Sequence, residues 1–204
     1  MFVVDVSGHG VASSLLSVAI GRLLTPHVSS SSLLVRQGAA AGERIVVPPA
    51  EVIAELNQRF PMEDQGGLYF TISYGVLDLQ TNRLRYASGG HTPLVIARRD
   101  EELQFTDADG MAIGWLEEVD FEEVSIELEV GDRIYMYSDG VPEAMDAQLD
   151  QFGDDRMLDV IDRGRPGSLS ESVQKLLQSV QKWCGRTGPK DDVSILALEV
   201  TDSA

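Results

Sequence analysis

The sequence predicts an α+β protein, a sandwich of two mainly antiparallel β-sheets with α-helices outside it. From Leu68 onward, strand-like runs follow one another through short turns, while the helical periodicities are kept to either end of the chain. The strict strand-helix alternation of a doubly wound parallel sheet is missing. The length of 204 residues, 43% of them hydrophobic, suits one well-packed domain rather than two.

The chain opens MFVVDVSGHG. Phe2, Val3 and Val4 make a short apolar strand that Asp5 ends, and Gly8 and Gly10 allow the sharp turns that follow. Leu15, Leu16, Ala19, Ile20, Leu23 and Leu24 recur at helical spacing and Pro26 stops them, which predicts a helix over 11–25. The next stretch, HVSSSSLLVRQGAAAGERIVVPP, carries a serine run and an Ala/Gly tract and reads as a mobile connection. Pro48 and Pro49 suit the start of a second helix, Val52, Ile53, Leu56 and Phe60 form its apolar stripe, and Pro61 ends it.

Strands then take over. LYFTISYGVLDL and LRYAS, with Gln80, Thr81 and Asn82 between them, read as a hairpin, and PLVIAR as the strand after it. In EEVSIELEV, Val124, Ile126, Leu128 and Val130 alternate with Glu123, Ser125, Glu127 and Glu129, so that strand has one wet face. GDRIYMYSD and DVSILALEV are nearly continuous apolar runs and read as central strands covered on both sides. Between them, Ser168 and Glu171 make a capping box for a helix with the stripe Val173, Leu176, Leu177, Val180 and Trp183.

Charge and cysteine usage exclude whole classes of function. Sixteen Lys and Arg stand against 33 Asp and Glu, a formal charge of -17, so the surface repels nucleic acid and anionic membrane alike. The single cysteine, Cys184, forms no internal disulfide, and no apolar stretch of about 20 residues is present. A cytoplasmic protein is expected.

Acids far apart in sequence share one setting. Asp5 ends FVVD, Asp139 ends RIYMYSD, and Asp191 with Asp192 leads into VSILALEV. Each alone reads as a turn or cap residue. Three of them at the ends of apolar strands read as one pocket if those ends converge. Two like charges about 4 Å apart repel by roughly 4 kcal/mol at an effective dielectric near 20, so such a pocket requires protonation or a cation. Oxygen ligands without a Cys or His cluster select Mg2+ or Mn2+ over zinc. A glycine-rich nucleotide loop at VDVSGHGVAS fits poorly, because Ser13 holds the third glycine position. YSDGV lacks the nucleophile of an aspartyl phosphatase, because Tyr137 stands where a carboxylate is needed.

DVSGHG, YASGGHTPL, GDRIYMYSDGVPEA and PKDDVSILAL occur in the order found in the metal-dependent protein phosphatases related to protein phosphatase 2C. The chain resembles most the bacterial RsbU/SpoIIE type, from Phe2 to about Val200. The resemblance implies a four-layer α-β-β-α sandwich, a two-metal centre of Mn2+ or Mg2+, and hydrolysis of phosphoserine or phosphothreonine on a protein. It implies that Asp5 bridges the two metals and that the Val6 carbonyl, Asp139 and Asp191 are further ligands, with Asp192 a candidate for an additional ion. The catalytic group is then the metal-activated water rather than a side chain. The resemblance also implies that Gly8, His9, Gly10 and Gly140 belong to the active-site loops, with His91 a further candidate for them.

The implied substrate is a phosphorylated anti-sigma-factor antagonist, with an upstream sensor or receiver domain in a longer native chain and a homodimer allowed. The family pattern has one more acidic segment and strand before Asp5, absent here. Residues 1–204 are therefore read as a single SpoIIE/PPM-type domain lacking its first strand or strands and first acidic motif. The alternative is a catalytically weak phosphatase-like binding module.

Overall fold

The computed structural model describes residues 1–27, 32–40, 42–107 and 109–202. In chain order its elements are β1 (Phe2–Val6), α1 (Val11–Leu23), β2 (Val35–Gln37), β3 (Arg44–Val46), α2 (Pro49–Arg59), β4 (Phe70–Asp78), β5 (Arg83–Gly89), β6 (Val95–Ala97), β7 (Gln104–Phe105), β8 (Glu123–Glu127), β9 (Arg133–Tyr137), α3 (Gly153–Gly164), α4 (Leu169–Cys184) and β10 (Ile195–Glu199). Among the described residues, no helix is long and apolar enough to cross a membrane. The chain divides into two compact units, one of Met1–His91 with Ala108–Ile126, the other of Thr92–Asp107 with Glu127–Ala204.

In the first unit the sheet runs β1-β4-β5-β8. The predicted β4-β5 hairpin forms because Asp78 Oδ1 accepts from the Gln80 backbone N–H at 2.8 Å and Asn82 adopts a φ of 51°. Arg85 pairs bidentately with Glu123, Nε to Oε1 at 2.6 Å and Nη2 to Oε2 at 3.1 Å, which ties β5 to β8. The core gathers Ile20, Leu24, Val52, Ile53, Leu56, Phe70, Ile72 and Ile113. Asn57, buried on α2, donates to the Leu116 carbonyl at 2.8 Å and accepts from the Gly114 N–H at 2.8 Å, so the loop after residue 109 is anchored.

Two expectations change in this unit. The predicted stripe of α1 included Leu15 and Ala19, yet both are exposed, and Ser13, Leu16 and Ile20 face inward. Ser13 turns inward because its Oγ donates to the Ser7 carbonyl at 3.1 Å, which fixes the rotation of the helix. The segment read as a mobile connection contains the antiparallel β2-β3 pair, and Leu33, Leu34 and Val47 are buried. Ser29, Ser30 and Ser31 of the serine run, with Val28 and Ala41, lie outside the described residues.

In the second unit the sheet runs β10-β9-β6-β7. Every residue of β9 is buried, as its apolar run predicts. DVSILALEV also reads as central, but β10 is an edge strand and Leu196 is 39% exposed. An apolar run does not distinguish a doubly covered strand from an edge strand with partial cover. Tyr135, Tyr137, Met157, Ile161, Leu176 and Val180 form the core. Ser168 caps α4 as predicted, its Oγ accepting from the Glu171 N–H at 3.3 Å while Glu171 accepts from the Ser168 N–H at 2.9 Å.

Candidate functional site

In the first unit, β1 extends one residue past Asp5 and pairs with β4 so that Asp5 lies opposite Thr71. Opposed residues of an antiparallel pair project to the same face of the sheet, so Asp5 and Thr71 share one. Thr71 Oγ1 and His91 Nδ1 share a hydrogen bond of 2.7 Å. His91 is 9% exposed, and its backbone N–H donates to Ser88 Oγ at 3.2 Å. Beyond Val6 the chain turns through Gly8 and Gly10, whose φ values of 76° and 96° favour residues without a Cβ. Ser7 holds this turn in place: its N–H donates to the Tyr69 carbonyl at 2.9 Å, and its Oγ accepts from the Tyr69 N–H at 2.9 Å.

The two histidine candidates, His9 and His91, stand in different settings. His9 is exposed on the glycine turn, whereas His91 is buried and hydrogen-bonded to a residue opposite Asp5. Thr71 was not legible as a site residue, because a threonine within a strand is an ordinary β-former.

In the second unit, the strand β9 delivers Ser138, Asp139 and Gly140 to the start of a tight turn, in which the Val141 N–H donates to the Ser138 carbonyl at 3.1 Å and the Glu143 N–H to the Asp139 carbonyl at 2.9 Å. Ser138 is buried, and its Oγ donates to the Asp192 carbonyl at 2.7 Å and accepts from the Ser194 N–H at 2.9 Å. The SDG and DDVS segments are thus joined through one hydroxyl. Gly140 has a steric reason to be glycine, since a Cβ there would stand 2.4 Å from the Asp192 carbonyl oxygen. A cavity of about 170 Å³ is lined by Gly140, Glu143, Ala144, Met145, Lys190 and Asp191.

Asp139 Oδ1 is buried and has no hydrogen-bond partner. A carboxylate oxygen removed from water with no donor in reach is costly unless a cation meets it. Asp191 Oδ1 accepts from the Asp192 N–H at 2.8 Å, and both of these residues are exposed. Oxygen donors from Asp139 and Asp191 suit a hard divalent cation, so the residues present in this unit fit Mg2+ or Mn2+. Asp5, Val6, Gly8, His9, Gly10 and His91 belong to the first unit, and Asp139, Gly140, Asp191 and Asp192 to the second. Among the described residues no group of three or more His, Cys, Asp or Glu side chains forms a metal-holding cluster.

Residues 1–201 match the family described as stage II sporulation protein E (SpoIIE). Phosphoserine phosphatase RsbP of Bacillus subtilis (strain 168) is 22% identical over 204 residues, covering 98% of this chain and 45% of RsbP. The chain therefore spans less than half the length of that relative. Among solved structures, the SiaA-PP2C domain of Pseudomonas aeruginosa is similar with a TM-score of 0.73 at 22% identity, covering 98% of this chain and 74% of that one. The catalytic domain of the serine threonine protein phosphatase PstP, in complex with 2 manganese ions, is similar with a TM-score of 0.61 at 18% identity, covering 98% of this chain and 87% of that one. These likenesses show the fold, an α+β fold of the PP2C type.

Proposed function

We infer the function from the premise that the chain belongs to the SpoIIE family: it is a metal-dependent phosphatase domain that hydrolyses phosphoserine or phosphothreonine on a protein. The observation that carries this reading is Asp139, whose buried Oδ1 meets no donor at the end of a fully buried strand. RsbP is named a phosphoserine phosphatase, and the PstP domain holds manganese, which supports both the chemistry and the cofactor.

The candidates to hold Mn2+ or Mg2+ are Asp139 and Asp191 in the second unit and Asp5, with the Val6 carbonyl, in the first; Asp192 is the candidate for a further ion. When bound, the ions supply a water of lowered pKa and offset the charge of the phosphate oxygens. The chain's own residues orient the donors. Ser138 fixes the Asp192 carbonyl against the strand that carries Asp139. Gly140 leaves room for that approach. Thr71, opposite Asp5, holds the imidazole of His91. Residues 1–204 act as one catalytic domain in this reading, and the proposed substrate is a phosphorylated anti-sigma-factor antagonist.

The test is hydrolysis of an aryl phosphate and of a phosphoserine peptide across a Mn2+ titration, by the parent and by Asp139→Asn. Metal-dependent release that falls by orders of magnitude in Asp139→Asn is expected. Turnover without metal, or an unimpaired variant, refutes the assignment. Partner binding without turnover assigns the binding-module reading instead.

A further inference from the structure

The lysines of this chain are segregated. All three, Lys175, Lys182 and Lys190, fall within residues 174–190, which also contain Arg186 and no Asp or Glu, in a chain of formal charge -17. The segment forms the second half of α4, a 3-10 turn over Gly185–Thr187 and the loop that leads directly into Asp191. Lys175, Ser179 and Lys182 recur at i, i+4 and i+7 on one helix face. Lys182, Arg186 and Lys190 are exposed, and among the described residues none of them makes an ion pair.

Lys182 and Arg186 of this strip line a groove of about 540 Å³, together with Ser179, Trp183, Asp146 and Gln148. Trp183 is a fixed apolar element of it: its Nε1 donates to the Asp150 carbonyl at 3.0 Å, and the Arg156 guanidinium lies 4.2 Å from the ring centroid. Among the described residues, Asp146 is the groove's one acidic side chain against the two cations, and its Oδ1 accepts from the N–H groups of Gln148 at 2.8 Å and Asp150 at 2.9 Å. Consecutive residues line the groove and the smaller cavity, Asp146 the groove and Met145 the cavity that Lys190 and Asp191 also line.

We propose that this groove docks an acidic segment of the phosphoprotein substrate, flanking the residue to be dephosphorylated; the proposal rests on the phosphatase reading above. An acidic phosphoprotein is repelled by most of a surface this negative, and an unpaired cationic strip beside Asp191 is where it gains attraction. Compensation of the helix dipole accounts for Lys182 in the last turn of α4 but not for Arg186 and Lys190, which lie beyond the helix.

The experiment is fluorescence anisotropy with the metal-free chain, so that no turnover intervenes. Three labelled, unphosphorylated peptides are compared: one acidic, one with its Asp and Glu replaced by Asn and Gln, and one with Lys in their place. The parent is expected to prefer the acidic peptide over the neutral one, with affinity weakening as salt rises. Lys182→Glu/Arg186→Glu should lose roughly tenfold in affinity for the acidic peptide, as expected for a few exposed charge contacts, and gain for the lysine peptide, a gain that an unfolded variant does not give. Equal binding of acidic and neutral peptides by the parent, or an unaltered affinity in the charge-reversed variant, overturns the proposal. Self-association of the parent that the same variant abolishes also overturns it, by assigning the groove to a second acidic copy. Mn2+-dependent hydrolysis of an aryl phosphate by the parent tests the phosphatase reading separately: hydrolysis without acidic-peptide preference removes the docking site alone, and acidic-peptide binding without hydrolysis removes the catalytic reading alone.

Discussion

Gly140→Ala tests whether the two acidic segments of the second unit are held together as described. The added methyl group would stand 2.4 Å from the Asp192 carbonyl oxygen and 3.1 Å from its carbon. Carbon contacts are comfortable only from about 3.5 Å, so the Asp191–Asp192 backbone has to retreat by about 1 Å. That carbonyl accepts the 2.7 Å bond from Ser138 Oγ, which such a retreat breaks. The lost bond contributes about 1 kcal/mol, and overpacking against backbone typically adds about 1–3 kcal/mol. For a chain of this size the sum lowers Tm by roughly 5–15 °C.

Calorimetric melts with and without Mn2+ and a direct Mn2+ titration measure the effect, since moving Asp191 should weaken metal binding along with stability. Gly21→Ala is the control: a Cβ added there meets nothing within 4 Å outside its own helix, and the position is inside α1, so helix propensity should stabilise that variant by about 0.5–1 kcal/mol. Ser138→Ala combined with Gly140→Ala should cost less than the sum of the two, because both act on the same carbonyl. A Gly140→Ala protein that melts with the parent and binds Mn2+ equally refutes the reasoning.

Two further outcomes follow from the first unit. Thr71→Val removes the 2.7 Å bond to His91, and a loss of about 1 kcal/mol in chemical denaturation is expected; an unchanged midpoint shows that the bond does not position the imidazole. Burial pushes the Tyr74 phenol up from 10.0 to about 12, only partly offset by Arg85. Because the folded value is raised, its contribution to stability is complete below pH 10.0 and is lost as pH rises toward about 12. Urea midpoints of the parent should fall across that window and those of Tyr74→Phe should fall less; parallel curves contradict the assignment.

Local chemistry determined much of this protein before any tertiary contact is considered. The box of Ser168 and Glu171 starts α4 because its two hydrogen bonds lie within four residues. The run from Ile134 to Tyr137 is a buried strand because no charged side chain interrupts its pattern. The cationic segment ending at Lys190 is also plain from residue order alone. What only the tertiary structure decided rests on partners far apart in sequence. The rotation of α1 depends on Ser13 reaching the Ser7 carbonyl, against the apolar pattern that would have buried Leu15. The residues Leu33, Leu34 and Val47 are buried in a stretch whose Ser, Ala and Gly content suggested a mobile connection, because local composition does not register the core they join. The edge position of β10, the pairing of Thr71 with His91 and the bond from Ser138 to Asp192 join residues from 20 to more than 50 positions apart. Periodicity reports which face of an element is apolar, whereas which neighbour covers that face, and which hydroxyl meets which carbonyl, is fixed only when distant segments compete for the same space.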